Sequence, residues 1–449
     1  MDLVSFLPQL GGFFYVIASF VVALSVIVAV HEYGHYIVGR WSGIHAEVFS
    51  LGFGPVLFSR VDKRGTRWQI ALLPFGGYVK FLGDSDAASG KDAAAMAEAS
   101  ADPVALRRTM HGAPLWARAA TVAAGPVFNF VMSAVIFAGV FFASGTIRNP
   151  LTVADVMPLP GLEQDLQAGD QLLQVEGISV PSLEDSAAWE GFRTSVPEQQ
   201  PLRYTVLRDG QQAEVQGPYP WPPHVRGVAP RSAAADADLQ PGDVIVAVNG
   251  APIFAFDQLK RAVEGGEGAE LQLEIWRDGD TFATALTPRR VDEPQADGGF
   301  ATQWRMGIVG GLAFEPASEA VSLSDAIIAG GAQVWGVVDM SLSGLTHMIT
   351  GAISTCNLSG PIGIAETSGA MASQGAESFI RFIAVLSTAV GLLNLFPIPA
   401  LDGGHLMFYA YEAVTGKPPS DGVMRVLMTF GIAAILTLML FALGNDLFC

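Results

Sequence analysis

Long uncharged runs divide the chain into segments that match the thickness of a lipid bilayer. A hydrocarbon core of about 30 Å requires roughly 20 apolar residues in a helix. Four uncharged runs reach that length: 13–30, 119–146, 382–401 and 426–445. A fifth run, 340–365, contains Ser, Thr, Gly and Pro residues, and this composition favours an amphipathic piece on the membrane surface. The pattern predicts a polytopic α-helical membrane protein with four spans.

The hydrophobic pattern changes to a β-type pattern directly after the first run. Two β-prone stretches, 47–60 and 67–84, are joined by Val-Asp-Lys-Arg-Gly-Thr, which has turn chemistry. We therefore predict a membrane-associated β-hairpin over 47–82. The stretch 84–102 that follows is rich in Ala, Ser and Asp, and this composition is typical of a loop.

The middle of the chain contains an internal repeat. LQAGDQLLQVEG (166–177) and LQPGDVIVAVNG (239–250) share six of twelve positions, and an Arg-Asp-Gly turn follows each copy at nearly the same offset. Two β-rich modules are predicted, at 150–218 and 224–291. Both resemble PDZ domains, the first more weakly. Such modules generally bind an extended peptide as an added strand, but a structural spacer that binds nothing is an alternative.

The net charge of −18 is distributed unevenly along the chain. Residues 146–379 contain 12 basic and 30 acidic side chains, whereas residues 40–118 contain 10 basic and 7 acidic ones. Basic loops tend to stay in the cytoplasm, so we expect 40–118 inside and the acidic segment outside. No basic patch of the kind that binds nucleic acid is present. The N-terminus has no basic n-region, so we expect the first span to be retained, with its N-terminus outside.

These observations predict a definite order of parts. The C-terminus, like the N-terminus and the modules, is expected on the outer, periplasmic side. The predicted parts are 1–40 (first span), 41–116 (cytoplasmic loop with the hairpin), 117–146 (second span), 150–218 and 224–291 (modules), 315–365 (amphipathic periplasmic segment), 380–415 (third span) and 424–446 (fourth span).

The first apolar run continues into a motif with catalytic potential. His31-Glu32-Tyr33-Gly34-His35 is an H-E-x-x-H sequence on a predicted helix. Histidines at i and i+4 share one helix face and can hold one metal ion, while the glutamate is placed to deprotonate a water molecule. The alternative is a pair of packed core histidines. Ionisable groups at membrane depth are costly and are commonly functional, so we favour a zinc site.

A catalytic zinc site usually has three protein ligands, and Asp402 is the predicted third ligand. It ends the third apolar run, after Pro397 and Pro399, which force an irregular backbone. With four spans, the first and third run in the same direction, so His31 and Asp402 reach similar depth. Alternatively, Asp402 caps the following helix. Possible fourth ligands are His45, His111, His224, His347 and His405.

The combination of these motifs resembles the site-2 protease family of intramembrane zinc metalloproteases, in particular the bacterial regulator of sigma-E protease type. The motifs are H-E-x-x-H, N-x-x-P-x-P-x-L-D-G-G (394–404), GPVFNF (125–130), NLSGPIGIA (357–365) and the PDZ-like modules. The resemblance implies zinc binding by His31, His35 and Asp402, with Glu32 as general base. It also implies that Asn394 helps to hold the substrate.

The resemblance further implies cleavage of single-span membrane proteins within the bilayer of the bacterial inner membrane, with the active site toward the cytoplasm. Expected substrates are an anti-sigma factor already trimmed by another protease, as part of stress signalling, and leftover signal peptides. Substrate contacts are expected at two places, the proline motif and the hairpin glycines. The residues are Asn394, Pro397, Pro399, Gly52, Gly54, Gly76 and Gly77.

The proline motif and the hairpin each have an alternative interpretation without substrate binding. In the alternative for Asn394, the side chain only satisfies carbonyls freed by the two prolines; in the alternative for the hairpin, it is peripheral and packs on a span. Two other functions compete with an intramembrane protease. One is a non-enzymatic PDZ-bearing adaptor with a structural metal, although a structural site does not need Glu32. The other is a membrane-anchored peptidase for soluble peptides, which would place H-E-x-x-H outside the apolar run.

Overall fold

A computed structural model describes residues 3–85, 90–295 and 299–448. The chain forms two compact units. The first, here called the membrane unit, comprises residues 1–139, 326–346 and 355–449. The second, the module unit, comprises residues 140–325 and 347–354. Part of the predicted loop 84–102, residues 86–89, lies outside the described residues, and a short helix occupies another part of it.

The elements in chain order begin with α1 (Leu3–Trp41), β1 (Ala46–Val61), β2 (Arg67–Phe81), α2 (Ala93–Ala99), α3 (Pro103–Arg107) and α4 (Leu115–Ser144). They continue with β3 (Thr146–Ile147), β4 (Val153–Val156), β5 (Gln171–Val175), β6 (Ile178–Ser179), α5 (Ser186–Ser195), β7 (Leu202–Arg208), β8 (Gln211–Gly217), β9 (Gly227–Val228), α6 (Ala233–Asp236), β10 (Val244–Val248), β11 (Ala251–Pro252), α7 (Phe256–Gly265), β12 (Leu271–Arg277), β13 (Asp280–Leu286), β14 (Arg289–Pro294), β15 (Phe300–Arg305), β16 (Ile308–Val309), β17 (Phe314–Pro316) and β18 (Ser318–Glu319). The last helices are α8 (Leu323–Ile349), α9 (Pro361–Ser373), α10 (Ala376–Asn394), α11 (Asp402–Thr415) and α12 (Asp421–Phe448).

Five helices in the described part of the chain are long and apolar enough to cross a membrane, one more than predicted. They are α1, α4, α8, α10 and α12. The additional helix is α8, with a mean hydropathy of 1.2 against 2.7 for α1. The predicted run 340–365 is not one element, because α8 ends at Ile349 and α9 begins only at Pro361. An uncharged run does not by itself indicate where a helix begins and ends, so the prediction missed the boundaries of α8.

Three helices of the membrane unit pack through small and polar side chains. His35 of α1 contacts the Thr121 carbonyl of α4 through Nδ1 at 2.9 Å. The Ser133 hydroxyl of α4 donates to the Ala384 carbonyl of α10 at 2.8 Å. A methyl group at Gly34 would lie 2.5 Å from the Ala124 carbonyl oxygen, so only glycine permits this approach of α1 to α4. Close packing of small residues is a common basis for helix association in lipid.

The predicted hairpin forms a sheet of four strand segments, because each of its two strands bends and pairs twice. Residues 48–51 pair with 77–80 on one side and with 67–70 on the other. Residues 58–61 pair with 67–70 as well. The resulting order of strand segments is 77–81, 46–51, 67–71 and 56–61. The two edges of this sheet are therefore Gly77–Phe81 and the segment 56–61, the latter exposed along its length.

The module unit contains two four-stranded sheets with matching order, β6-β5-β7-β8 and β11-β10-β12-β13. In the first, the Asp170 carboxylate accepts from the Arg208 guanidinium at 2.7 Å, and in the second Asp243 accepts from Arg277 at 2.6 Å. Burial raises the pKa of Asp170, but hydrogen bonds from Arg208 and a backbone N–H outweigh it and hold the pKa below its ordinary value. The Gly-Asp and Arg-Asp-Gly pieces of the sequence repeat thus meet in each sheet.

The hydrophobic cores show that the two modules are nested along the chain. The first core is built from residues between Leu151 and Tyr219, and also contains Ala255, Ala313 and Phe314. Phe314 belongs to β17, which pairs with β4. The second core lies between Val225 and Met306. The predicted boundaries of the first module, 150–218, therefore omit a strand that returns after the second module.

Candidate metal centre

The site begins with two imidazoles on one face of α1. His31 and His35 are four residues apart, and their Nε2 atoms lie 3.2 Å from each other. The third group arrives from α11, whose first residue is Asp402. The Asp402 carboxylate does not cap the N-terminus of α11. Its oxygens instead lie 3.1 Å from His31 Nε2 and 3.5 Å from His35 Nε2.

These separations fit a zinc ion. With zinc–nitrogen and zinc–oxygen bonds of about 2.0–2.2 Å, tetrahedral ligands are about 3.3 Å apart. The three observed distances of 3.1, 3.2 and 3.5 Å bracket that value. The buried Asp402 Oδ2 accepts no well-aligned hydrogen bond, although His31 Nε2 is close. Close polar atoms without hydrogen-bond alignment are expected where the atoms share a metal.

Helix α4 contacts Nδ1 of His35, whereas Asp402 approaches Nε2 of the same ring. The Thr121 carbonyl lies 2.9 Å from His35 Nδ1, which directs the Nε2 lone pair of His35 toward the site. A methyl group at Gly125 would overlap the His35 ring, so this glycine makes room for both imidazoles. Neither Thr121 nor Gly125 is among the site residues predicted from the sequence. The motif GPVFNF, which begins at Gly125, was the available signal.

The three groups border a cavity of about 500 Å³ in the membrane unit. Glu32 also lines this cavity, and its carboxylate lies near the Val79 backbone N–H. Gly77 packs against the same side chain, since an added Cβ would lie 2.9 Å from Glu32 Cγ. The sheet edge Gly77–Phe81 therefore lies beside the proposed base.

The other predicted substrate residues are divided between the cavity and its surroundings. Asn394 lines the cavity, and its amide donates to the Val390 carbonyl of its own helix at 3.1 Å. This hydrogen bond is not the one expected from the alternative, in which Asn394 satisfies carbonyls freed by the two prolines. Of the six other residues predicted to contact substrate, one lines the cavity and five do not. Gly77 is in the lining, whereas Pro397, Pro399, Gly52, Gly54 and Gly76 are not.

No fourth His, Cys, Asp or Glu among the described residues joins the metal-binding group. His405 lines the same cavity but stands outside the group. His111 is paired with Asp84 at 3.2 Å. A structural zinc site usually has four protein ligands, so three ligands in a cavity fit a catalytic site better than the structural metal of an adaptor.

Comparisons with known proteins agree with this geometry. The profile of peptidase family M50 matches residues 19–438. A protein of Agrobacterium fabrum named as a zinc metalloprotease is 34% identical over 435 residues, which cover 96% of this chain and 95% of the relative. A Rhizobium meliloti protein named in the same way is 35% identical over 436 residues, or 96% of each chain. The regulator of sigma-E protease RseP of Escherichia coli is 32% identical over 472 residues, 97% of this chain and 99% of the relative.

The H-E-x-x-H helix, the cavity and these relatives define a class: the protein is a metalloprotease with membrane-length helices. Within that class, the chain belongs to peptidase family M50, the site-2 proteases. Its relatives support zinc as the metal and intramembrane proteolysis as the activity. Family membership excludes the non-enzymatic adaptor as the principal function.

Proposed function

We propose that the protein hydrolyses a peptide bond within the membrane-spanning segment of single-span membrane proteins, using zinc held by His31, His35 and Asp402. The observation that carries this proposal is the convergence of the three ligand atoms in a cavity beside Glu32. Zinc, when bound, supplies Lewis-acid chemistry that activates water and polarises the scissile carbonyl.

The residues of the chain would do the remaining work. Glu32 takes a proton from the attacking water at a carboxylate oxygen. It then delivers that proton to the nitrogen of the leaving amine as the carbon–nitrogen bond breaks. The Val79 N–H lies near the Glu32 carboxylate before reaction. Asn394, at the end of α10 and in the cavity lining, would contact the substrate backbone.

A membrane-spanning helix must be unwound before its backbone can reach such a site, because helical carbonyls are hydrogen-bonded. We propose that the segment Gly77–Phe81 accepts the unwound substrate as an added strand. This segment pairs with 46–51 on one side only, and Gly77, Tyr78, Val79 and Phe81 line the cavity on the other. The opposite edge, 56–61, contributes no residue to that lining.

Replacing Val79 by proline tests the strand edge, because it removes the backbone N–H next to Glu32. We expect cleavage to fall about 10- to 100-fold, the effect of losing a hydrogen bond in a dry site, while bound zinc stays near one equivalent. Val56→Pro is the matched control on the far edge, and it should cleave at nearly the wild-type rate. Equal losses in both variants would contradict the assignment of the edge.

We further propose that four of the five candidate helices cross the membrane, and that α8 does not. Contacts support this: His31 and His35 of α1 meet Asn129 and Thr121 of α4 respectively, so these helices are antiparallel. Helix α10 also runs antiparallel to α4, because Ser133 contacts Ala384 and Asn129 contacts Ser387. Hence α1 and α10 are parallel, which requires an odd number of crossings between them. Helix α4 alone satisfies this requirement, whereas α4 plus α8 does not.

Cysteine labelling tests the position of α8. In a chain whose two cysteines are replaced by serine, Leu323→Cys and Ile349→Cys should both react with an impermeant maleimide from outside intact cells. Both native side chains are exposed. Trp41→Cys, at the inner end of α1, should react only after lysis. Labelling of Ile349→Cys only after lysis would place the two ends of α8 on opposite sides and reject the four-span topology.

The position of the modules outside the cytoplasmic membrane, and their PDZ-like character, are parts of the same proposal. The acidic charge of 146–379 supports an outer location. The Escherichia coli relative is named as the regulator of sigma-E protease. In line with that name, we propose an anti-sigma factor as the physiological substrate class, and leftover signal peptides as a second class. The modules would then act as a size filter that admits only substrates whose outer domain has been trimmed.

Deleting the modules tests the filter, and the structure indicates where to cut. Strands β3 and β18 pair through Ile147 and Ser318, and the Arg148 N–H donates to the Ala317 carbonyl at 2.8 Å. Replacing 149–316 by a short Gly-Ser linker therefore joins neighbouring points. We expect untrimmed single-span substrates to be cleaved several-fold faster by this variant, with trimmed substrates unaffected. If untrimmed substrates stay intact while trimmed ones are cut, the filter lies elsewhere.

A further inference from the structure

One side chain next to the metal centre has a polar atom without a partner. Asn129 of α4 is fully buried, and its Nδ2 lies 3.3 Å from His31 Nδ1. Its other amide atom, Oδ1, is buried and has no hydrogen-bond partner. The residue is firmly held, since its backbone carbonyl accepts from the Ser387 hydroxyl at 3.1 Å and lies 2.9 Å from the Ser133 hydroxyl oxygen.

The chemistry of the histidine determines which amide atom belongs next to it. An imidazole that binds a metal through Nε2 carries its hydrogen on Nδ1 and needs an acceptor there. His35 has such an acceptor in the Thr121 carbonyl. An amide nitrogen cannot accept, but the oxygen and nitrogen of an asparagine have nearly the same shape. Turning the Asn129 amide by half a rotation places Oδ1 at the same 3.3 Å from His31 Nδ1.

We propose that Asn129 is the positioning residue of His31. Its Oδ1 accepts the hydrogen of His31 Nδ1, which fixes the tautomer and the ring orientation and leaves the Nε2 lone pair directed at the metal. Asn129 and the Thr121 carbonyl thus form a pair of acceptors on α4, one for each imidazole of α1. This inference rests on the proposed role of His31 as a zinc ligand, and the test below separates the two.

The test measures zinc affinity of the purified full-length protein by competition with a chromogenic chelator, without any substrate. Asn129→Leu keeps the approximate volume but removes the acceptor, and we expect the zinc dissociation constant to rise about 10- to 100-fold, the range for lost outer-shell partners of ligating histidines. Asn129→Asp keeps an acceptor at this position, and its affinity should remain within about threefold of wild type. Ser133→Ala is the matched control: it removes the hydroxyl that contacts the Asn129 and Ala384 backbone carbonyls, leaves the Asn129 amide unchanged, and should bind zinc normally.

Comparison of the zinc affinities of these variants tests the positioning role of Asn129. Because a general packing defect would weaken Asn129→Asp as well as Asn129→Leu, rescue by aspartate supports a hydrogen-bond acceptor. Wild-type affinity in Asn129→Leu, or equal weakening in both variants, overturns the inference. His31→Ala serves as the reference: if it retains zinc as tightly as wild type, the proposed ligand set itself is wrong. If it loses zinc while Asn129→Leu does not, only the positioning role fails.

Discussion

Glu32→Gln should abolish cleavage and leave the zinc in place. Glutamine is nearly isosteric with glutamate, but it cannot take a proton from water. General-base catalysis contributes about 10²- to 10⁴-fold, so we expect a rate loss in that range or beyond for a membrane-anchored substrate. The measurement combines a cleavage assay in detergent or vesicles with metal analysis of the same preparation.

The control for this variant is another glutamate on the same side of the membrane unit. Glu47 of β1 pairs with Lys80 at 3.2 Å and is outside the cavity lining. Glu47→Gln should therefore cleave at close to the wild-type rate. Wild-type cleavage by Glu32→Gln would remove Glu32 from the mechanism, whereas loss of zinc from it would mean that the carboxylate helps to hold the metal.

Asp402→Ala should remove the zinc itself. The carboxylate is one of three ligands and the one that brings negative charge to the cation, so we expect metal content to fall from about one equivalent to below about a tenth, with no measurable cleavage. A ligand that binds only the native state raises stability by about 2.7 kcal/mol at a hundred times its dissociation constant. Added zinc should accordingly raise the Tm of wild type and leave that of Asp402→Ala unchanged.

His405→Ala is the informative companion to this experiment. His405 lies on the same helix, three residues after Asp402, and borders the same cavity without belonging to the ligand group. Zinc content should therefore stay near one equivalent in His405→Ala. Loss of zinc from this variant would make His405 a fourth ligand and would favour a closed, structural site. Retention of zinc by Asp402→Ala would contradict the ligand set.

The candidate site was largely predictable because the spacing of residues within short motifs indicates its chemistry. H-E-x-x-H places His31 and His35 on one helix face regardless of what the helix packs against. Asp402 could be added because two prolines and a diglycine mark an irregular segment at a matching membrane depth. The structure places all three groups within 4.8 Å of one another. Their roles in catalysis stay a prediction.

The supporting residues could not be found in this way. Thr121 acts through its backbone carbonyl, Gly125 through the absence of a side chain, and Asn129 through an amide in the middle of an apolar helix. The motif GPVFNF contains Gly125 and Asn129, but it does not indicate what these residues contact. Their importance follows only from the antiparallel packing of α4 on α1, which brings residues distant in sequence against the two imidazoles.

The sheet and the modules illustrate the same limit. The alternation of residues in 47–82 indicates strands, but double pairing of residues 48–51 depends on how both strands bend. The sequence repeat indicates two modules, but the use of Phe314 in the first core depends on the chain returning after the second. Likewise, the composition of 340–365 missed the helical extent of α8, which begins earlier at Leu323.

The sequence by itself determined the membrane class, the two strand-rich modules and the motif residues, because hydrophobic period and side-chain chemistry are properties of short segments. Only the tertiary structure decided which carbonyl and amide face each histidine, which edge of the sheet borders the cavity, and how the helices alternate in direction. Those features arise from contacts between segments far apart in the chain, where packing of small residues and pairing of buried polar groups select one arrangement among many that the local pattern allows.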